Sequence, residues 1–188
     1  MLVLVVGPSG AGKDSLLDAA RAALAGDSHY RFVRRAITRP ADAGGETHEA
    51  LTAAEFAARH FALRWRAHGL DYGIPEDIED DLARGRIVIA NVSRAVIAEA
   101  AARFPVRVIA VTAPAATLAA RLAGRGRENA ADIAARLARD VTLPDSVPVE
   151  TVMNDSALAD GVARFLAALS RAGAGVGPEG TAPPRKPG

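Results

Sequence analysis

Residues 7–15 read Gly-Pro-Ser-Gly-Ala-Gly-Lys-Asp-Ser and lie between an apolar run at residues 2–6 and an amphipathic run that follows. This context predicts a strand, a glycine-rich loop and a helix. Such a loop points backbone N–H groups at a phosphate, beside a helix N-terminus where the dipole is positive. We therefore predict a nucleoside triphosphate site rather than a turn without chemistry, with Lys13 as the cation that follows a transferring phosphoryl group. The predicted nucleotide-binding residues of the loop are Gly7, Pro8, Ser9, Gly10, Ala11, Gly12, Lys13, Asp14 and Ser15.

The position after Lys13 departs from the usual pattern, which places Ser or Thr there to reach Mg²⁺. Asp14 occupies this position and Ser15 follows it, so we expect Ser15 to supply the hydroxyl. Two roles stay open for Asp14: it can hold Mg²⁺ through a water molecule, or its charge can favour the helix N-terminus. Asp14 and Ser15 are the predicted Mg²⁺ residues, directly or through water.

Length and composition exclude several classes of protein. The chain has 188 residues, 49% of them hydrophobic, which suits a single domain. A formal net charge of +1 argues against a surface that coats nucleic acid or is drawn to membranes. The absence of cysteine excludes disulfides, thiolate catalysis and zinc–thiolate sites. Because the apolar runs are strand-length and the first begins at residue 2, we expect no signal peptide, no membrane span and a cytoplasmic protein.

Strand-like and helical patterns alternate along the chain, which predicts an α/β fold with a parallel sheet covered on both faces. Ligands bind such sheets at the carboxyl ends of the strands. The segment after residue 173 is poor in large apolar side chains, so we predict one domain over residues 1–172 and a flexible tail at 173–188. The predicted strands are residues 2–6, 31–37, 61–67, 86–91, 106–111 and 151–153.

Two groups of arginines suggest a site for a phosphorylated acceptor. Arg35 and Arg39 leave the second predicted strand and can clamp a phosphate together, whereas either alone is more often a solvated surface residue. The second group surrounds a loop between two helices, which suits a lid that brings positive charge onto the phosphoryl group. The second group is Arg121, Arg125, Arg127 and Arg136, and the predicted lid spans residues 124–136.

Over residues 2–170 the chain resembles guanylate kinases, on the glycine-rich loop, Thr38-Arg39, Tyr72-Gly73, residues 121–126 with Arg136, and Asn154-Asp155. This resemblance implies a three-layer P-loop fold like that of nucleoside monophosphate kinases, with a central parallel sheet, a mobile lid and an acceptor-binding insert at residues 38–74. It implies that Lys13 and the loop hold the phosphates of ATP. It also implies that Arg39 holds the acceptor phosphate and that Asn154 lies near the adenine. Arg121, Arg125 and Arg136 would act on the transferring group from the lid.

The acceptor region departs from guanylate kinases where those enzymes read guanine. Asp42 stands where they carry a second arginine, and Ile74 stands where they carry a hydroxyl residue. Residues 91–94, Asn-Val-Ser-Arg, replace their Asp-x-Asp. A site that pairs with guanine discriminates by hydrogen bonds, so the loss of these partners predicts the loss of guanine as a substrate.

The same departures make the chain similar to a narrower family, the ribose 1,5-bisphosphate phosphokinases of phosphonate catabolism. The shared motifs are residues 12–17, 37–39, 65–73, 91–95 and 125–129, with Glu46 and His48. The resemblance implies transfer of the ATP γ-phosphoryl group to the 1-phosphate of ribose 1,5-bisphosphate, which yields 5-phosphoribosyl 1-diphosphate and ADP. Two alternatives stay open: a nucleoside monophosphate kinase with an atypical base pocket, and a non-catalytic binding module of the same fold.

An acceptor with a phosphate at each end needs cations at both ends. Arg39 can hold one phosphate and Arg94 the other, while His48 and His68 can bond ribose hydroxyls. A lone histidine is, however, more often structural, and Trp65 is more often part of the core than a stacking platform. The predicted acceptor-binding residues are Arg35, Arg39, Glu46, His48, His68, Tyr72, Asn91, Ser93, Arg94 and Arg127.

Overall fold

The computed structural model describes residues 1–41, 46–123, 144 and 146–174, and these form two sheets with flanking helices. The strands are β1 (Leu2–Val6), β2 (Tyr30–Phe32), β3 (Ala36–Ile37), β4 (Glu49–Ala50), β5 (Phe61–Ala67), β6 (Leu70–Pro75), β7 (Ile87–Asn91), β8 (Val106–Thr112) and β9 (Val149–Met153). The helices are α1 (Lys13–Ala23), α2 (Ala53–Ala58), α3 (Ile78–Ala83), α4 (Ile97–Arg103), α5 (Ala115–Ala123) and α6 (Leu158–Ala174), and a 3₁₀ turn, Arg94–Val96, precedes α4.

The main sheet has five parallel strands in the order β2-β7-β1-β8-β9. All five residues of the central strand β1 are buried, because helices cover both faces of the sheet. Leu2, Leu4 and Val6 face a core that includes Ile78 of α3 and Ile97 of α4. The alternate residues of β1 face a second core shared with α1 and α6. Its central members are Val3, Val5, Leu16, Leu17, Phe165 and Leu169. The predicted three-layer α/β fold is confirmed.

The smaller sheet has the order β4-β3-β6-β5 and contains the segment predicted as the acceptor insert. β5 and β6 form an antiparallel hairpin that turns at His68 and Gly69, whose φ angles are 52° and 75°. A capping box, Thr52 with Glu55, starts α2.

The single strand predicted over residues 31–37 is wrong, because the chain changes sheets within it. β2 pairs with β7 in the main sheet, and the Val33 amide makes a further hydrogen bond of 2.9 Å to the Ile89 carbonyl. β3 pairs instead with β4 and β6 of the smaller sheet. Residues 31–37 contain no glycine or proline, so the sequence does not mark the change.

The last helix, α6, ends at Ala174 and so includes the first two residues of the predicted tail. Gly173 lies against β7 so closely that a Cβ there would be 2.4 Å from Cδ1 of Ile87. Residues 175–188 and the predicted lid at 124–136 lie outside the described residues. Within the described ranges, every helix is too short or too polar to cross a bilayer.

Candidate active site

The glycine-rich loop leaves the carboxyl end of β1 and leads into α1. Gly10 and Gly12 have φ angles of 85° and 86°, which L side chains rarely adopt. Gly7 passes so close to β8 that a Cβ there would lie 2.1 Å from the Val111 carbonyl oxygen. The sequence therefore needs glycine at these positions both for the turn and for the approach to the neighbouring strand.

Lys13 reaches back over the loop from the first turn of α1. Its Nζ donates hydrogen bonds of 2.8 Å to the Gly7 carbonyl and 3.1 Å to the Pro8 carbonyl. Gly12 is the N-cap of α1, and no side chain caps the helix there. A cation above the loop and an uncapped, electropositive helix start together fit a polyphosphate.

Two of the predicted residues contact the backbone of the loop. Asn154, which is 4% exposed, donates from Nδ2 to the Ala11 carbonyl at 2.8 Å. Arg121 donates from Nη1 to the Gly10 carbonyl at 3.4 Å. Asn154 also touches Gly161 of α6, where a Cβ would lie 2.5 Å from Oδ1. Asn154 lies between β9 and α6, and it therefore anchors the loop to these two elements. Its contact with adenine stays a prediction.

The carboxyl end of β7 meets the loop through Asn91 and Asp14. Asn91 is 7% exposed, and its Nδ2 donates to Oδ1 of Asp14 at 3.1 Å. Ser15 is exposed in the first turn of α1. Ser93 accepts a hydrogen bond of 3.3 Å from the Ala95 amide and so caps the 3₁₀ turn that contains Arg94.

No group of three or more His, Asp or Glu side chains that could hold a metal ion occurs among the described residues. Mg²⁺ sites commonly use only one or two carboxylates, with substrate phosphates and waters as the other ligands. Asp14, beside the loop, is the carboxylate that fits such a site.

A small cavity of about 20 Å³ lies between α1, β7 and the residues that precede β3 and β4. The side chains of Leu17, Phe32 and Ile89 form apolar walls. Its polar lining includes Asp14 and three predicted acceptor residues, Arg35, Glu46 and Asn91. Asp18, Arg21 and Thr47 complete the polar lining.

Arg35 lies in this cavity between a carboxylate and two aromatic rings. Its Nη2 pairs with Oε1 of Glu46, and its side chain is 12% exposed. Its guanidinium carbon is 5.3 Å from the Tyr72 ring centre and 5.8 Å from that of Trp65. Trp65 and Tyr72 are cross-strand neighbours, with ring centres 5.3 Å apart and planes within 7° of parallel. The two rings thus form a platform under the arginine, a role for Trp65 that sequence reasoning missed.

Arg39 lies against His48, which is 5% exposed. The imidazole Nδ1 is 3.2 Å from Nη2 of Arg39, and Nε2 is 3.1 Å from the Arg39 carbonyl oxygen. Arg34, which sequence reasoning did not single out, donates from Nη2 to the His48 carbonyl at 2.8 Å. The structure therefore brings together Arg35, Arg39, Glu46, His48 and Tyr72 on and beside the smaller sheet.

The other predicted site residues lie elsewhere or outside the described residues. His68 is exposed at the tip of the β5–β6 hairpin, and Arg94 is half-buried at the end of β7. Arg125, Arg127 and Arg136 lie outside the described residues, as does Asp42.

Comparisons with known proteins bear on both the family and the fold. No family model matches the chain. A bifunctional ribose 1,5-bisphosphokinase-thymidine phosphorylase from Azorhizobium caulinodans is 54% identical over 175 residues, which are 90% of this chain and 25% of that protein. The chain spans between 25% and 30% of the length of three such bifunctional relatives. The ribose 1,5-bisphosphate phosphokinase PhnN from Acidiphilium cryptum is 54% identical over 173 residues, which are 90% of this chain and 92% of that protein.

A solved guanylate kinase from Anaplasma phagocytophilum shares the fold. It superposes with a TM-score of 0.65 at 15% identity, over 92% of this chain and 85% of that one. At this identity the likeness concerns the fold alone.

Proposed function

The chain belongs to the ribose 1,5-bisphosphate phosphokinase family, and on that premise we propose that it transfers the γ-phosphoryl group of ATP to the 1-phosphate of ribose 1,5-bisphosphate. The products are 5-phosphoribosyl 1-diphosphate and ADP. A role in phosphonate catabolism and a cytoplasmic location accompany this proposal as predictions.

The observation that carries the proposal is that residues of the predicted phosphate loop and of the predicted acceptor site lie around one cleft. Asp14 lines this cleft, and so do Arg35 and Glu46. Arg39 lies beside them, because Nδ1 of His48 contacts both Arg39 and the Glu46 carbonyl. Donor and acceptor phosphates bound beside these residues would be close to each other, as phosphoryl transfer requires.

The reaction needs alignment and charge neutralisation more than it needs a base. A phosphate oxygen of the acceptor is already ionised at neutral pH, so it attacks the γ-phosphorus without losing a proton to the protein. Lys13 would stabilise the charge on the transferring oxygens, and the loop N–H groups would hold the remaining donor phosphates. Mg²⁺, held through Asp14 or Ser15, would supply further charge neutralisation when bound.

The acceptor is proposed to bind through a cation at each end. Arg39 would hold one phosphate, and Arg94, at the end of β7, would hold the other. Within the described part of the chain, the Nε atoms of Arg35 and Arg39 are buried without a hydrogen-bond partner. Buried donors of this kind favour an anionic ligand, because a phosphate would satisfy them.

The test is a comparison of acceptors in an assay of ADP release. We expect kcat/KM to be highest for ribose 1,5-bisphosphate, and much lower for GMP, ribose 1-phosphate and ribose 5-phosphate. The two monophosphates are matched controls, since each lacks one of the proposed ionic contacts. A preference for GMP would replace the proposal with a nucleoside monophosphate kinase. Failure to bind ATP with Mg²⁺ would instead favour a non-catalytic module.

A further inference from the structure

The imidazole of His48 contacts Arg39 at both of its nitrogens. Nε2 lies 3.1 Å from the Arg39 carbonyl oxygen, which can only accept, so Nε2 carries a proton. Nδ1 lies 3.2 Å from Nη2 of Arg39, which can only donate, and 3.0 Å from the Glu46 carbonyl oxygen, which can only accept. A ring with its proton on Nε2 alone would donate to the Arg39 carbonyl and accept from Nη2, so this is the tautomer that engages Arg39 at both nitrogens.

This arrangement leaves His48 no free nitrogen for a substrate. The residue is 5% exposed, and Arg34 holds its carbonyl oxygen at 2.8 Å. The predicted hydrogen bond from His48 to a ribose hydroxyl is therefore not supported by its surroundings. Its polar atoms serve the protein itself, and two of the contacts go to one arginine.

We infer that His48 is a positioning residue, which aims the Arg39 guanidinium at the acceptor phosphate. This inference rests on the proposed function, in which Arg39 holds that phosphate. A neutral imidazole orients the arginine without cancelling its charge, whereas a carboxylate in the same place would compete with the phosphate.

A different position of the imidazole proton would contradict the inference, and this can be measured on the parent protein. Nδ1 of His48 is also 3.0 Å from the Glu46 carbonyl oxygen. A proton on Nδ1 would donate to that carbonyl, and Nδ1 could then accept nothing from Arg39.

A two-bond ¹H–¹⁵N correlation spectrum of the imidazoles separates these cases without any substrate. The chain has 4 histidines, and the signals missing from His48→Asn identify residue 48. We expect a protonated Nε2, and a bare Nδ1 whose resonance shifts when Arg39 is replaced by Ala. A proton on Nδ1, or no shift in Arg39→Ala, would overturn the inference. Because no ligand is involved, this result stands apart from the outcome of the acceptor comparison.

Two substitutions then test positioning through kinetics. His48→Asn puts an amide oxygen where Nδ1 lies and can still accept from Arg39. His48→Gln puts its amide near Nε2 and leaves Nη2 without an acceptor. We expect His48→Gln to raise the KM for the acceptor about tenfold, as the loss of one charge-assisted hydrogen bond would. His48→Asn should stay within about threefold of the parent, since the bond is retained.

The same assays distinguish a positioning role of His48 from a merely structural one. The KM for ATP should change by less than about twofold in both variants, because neither touches the phosphate loop. The inference would be overturned if both variants raised the KM for the acceptor equally, or if the KM for ATP rose together with it. These assays use whichever acceptor the parent enzyme turns over best, so a nucleotide preference would refute the proposed function while His48 is still tested.

Discussion

At the scale of single residues, the arginines near the acceptor site differ in their partners. Nη2 of Arg39 lies 3.2 Å from an imidazole nitrogen of His48. Arg35 instead pairs with Glu46, so its charge is partly balanced before any ligand arrives. We therefore expect Arg39 to contribute more to phosphate binding than Arg35 does.

Replacing Lys13 by Ala should abolish most of the turnover and leave the fold intact. The ammonium acts on transition-state charge, so a loss of about 10²- to 10³-fold in the single-turnover rate is expected. The melting temperature should stay near that of the parent, because Lys13 is not part of either core. Arg171→Ala is the control: this arginine is 62% exposed, pairs with Glu150 and lies outside the site. A Lys13→Ala enzyme that keeps parental turnover would contradict the assignment of this lysine.

At the scale of elements, the site depends on how closely the loop crosses β8. The loop runs from β1 to α1, and β8 is the next strand of the same sheet. Gly7 leaves no room for a side chain at this crossing, whereas Gly26, after α1, has no atom within 4 Å of an added Cβ. The two glycines thus differ in environment although both follow regular elements.

Gly7→Ala should destabilise the protein strongly, and Gly26→Ala should not. The added methyl would overlap a backbone carbonyl, which can move only with its strand, so we expect a loss of about 3 kcal/mol or more in the free energy of unfolding. Gly26→Ala should change it by less than about 0.5 kcal/mol. Urea denaturation of both variants measures the difference. Equal midpoints would show that the loop can move away from β8.

At the scale of the whole molecule, an ionic network secures the sheet end opposite the site. Asp81 of α3 has 3% of its side chain exposed and accepts bonds of 2.7 Å from Arg31 and from Arg86. Arg86 also bonds the Ser28 carbonyl at 2.6 Å, and its own carbonyl accepts from the Met1 amino group at 3.0 Å. The network therefore joins β2, α3, the start of β7 and the amino terminus.

Asp81→Asn should lower stability without lowering activity at temperatures where the variant is folded. Removing the buried carboxylate takes a charged partner from both Arg31 and Arg86, and we expect a loss of about 3 kcal/mol. Asp77→Asn is the matched control, since this carboxylate also pairs with Arg31 but is 58% exposed. It should cost less than about 1 kcal/mol. Thermal melts with activity measured at 25 °C test both parts, and a drop in kcat of folded Asp81→Asn would contradict them.

The phosphate loop, the parallel main sheet and the family follow from the sequence alone. These features depend on local chemistry and periodicity: glycines where φ is positive, apolar runs where a strand is buried on both faces, and motifs at characteristic spacing. The family predicted from those motifs is confirmed by relatives at about half identity over most of the chain. The sequence also assigns Arg35, Arg39, Glu46 and His48 to the acceptor site, though not the contacts between them.

Only the tertiary structure decided what several of these side chains touch. It divides residues 31–37 between two sheets, turns His48 onto Arg39, places Asn154 under the loop and stacks Trp65 on Tyr72. The contact of Asn154 with Ala11 joins residues 143 positions apart, whereas the contacts of His48 and Trp65 depend on how neighbouring segments fold back on each other. Residue spacing and alternation report only the local geometry of one segment, so they carry no information about those partners.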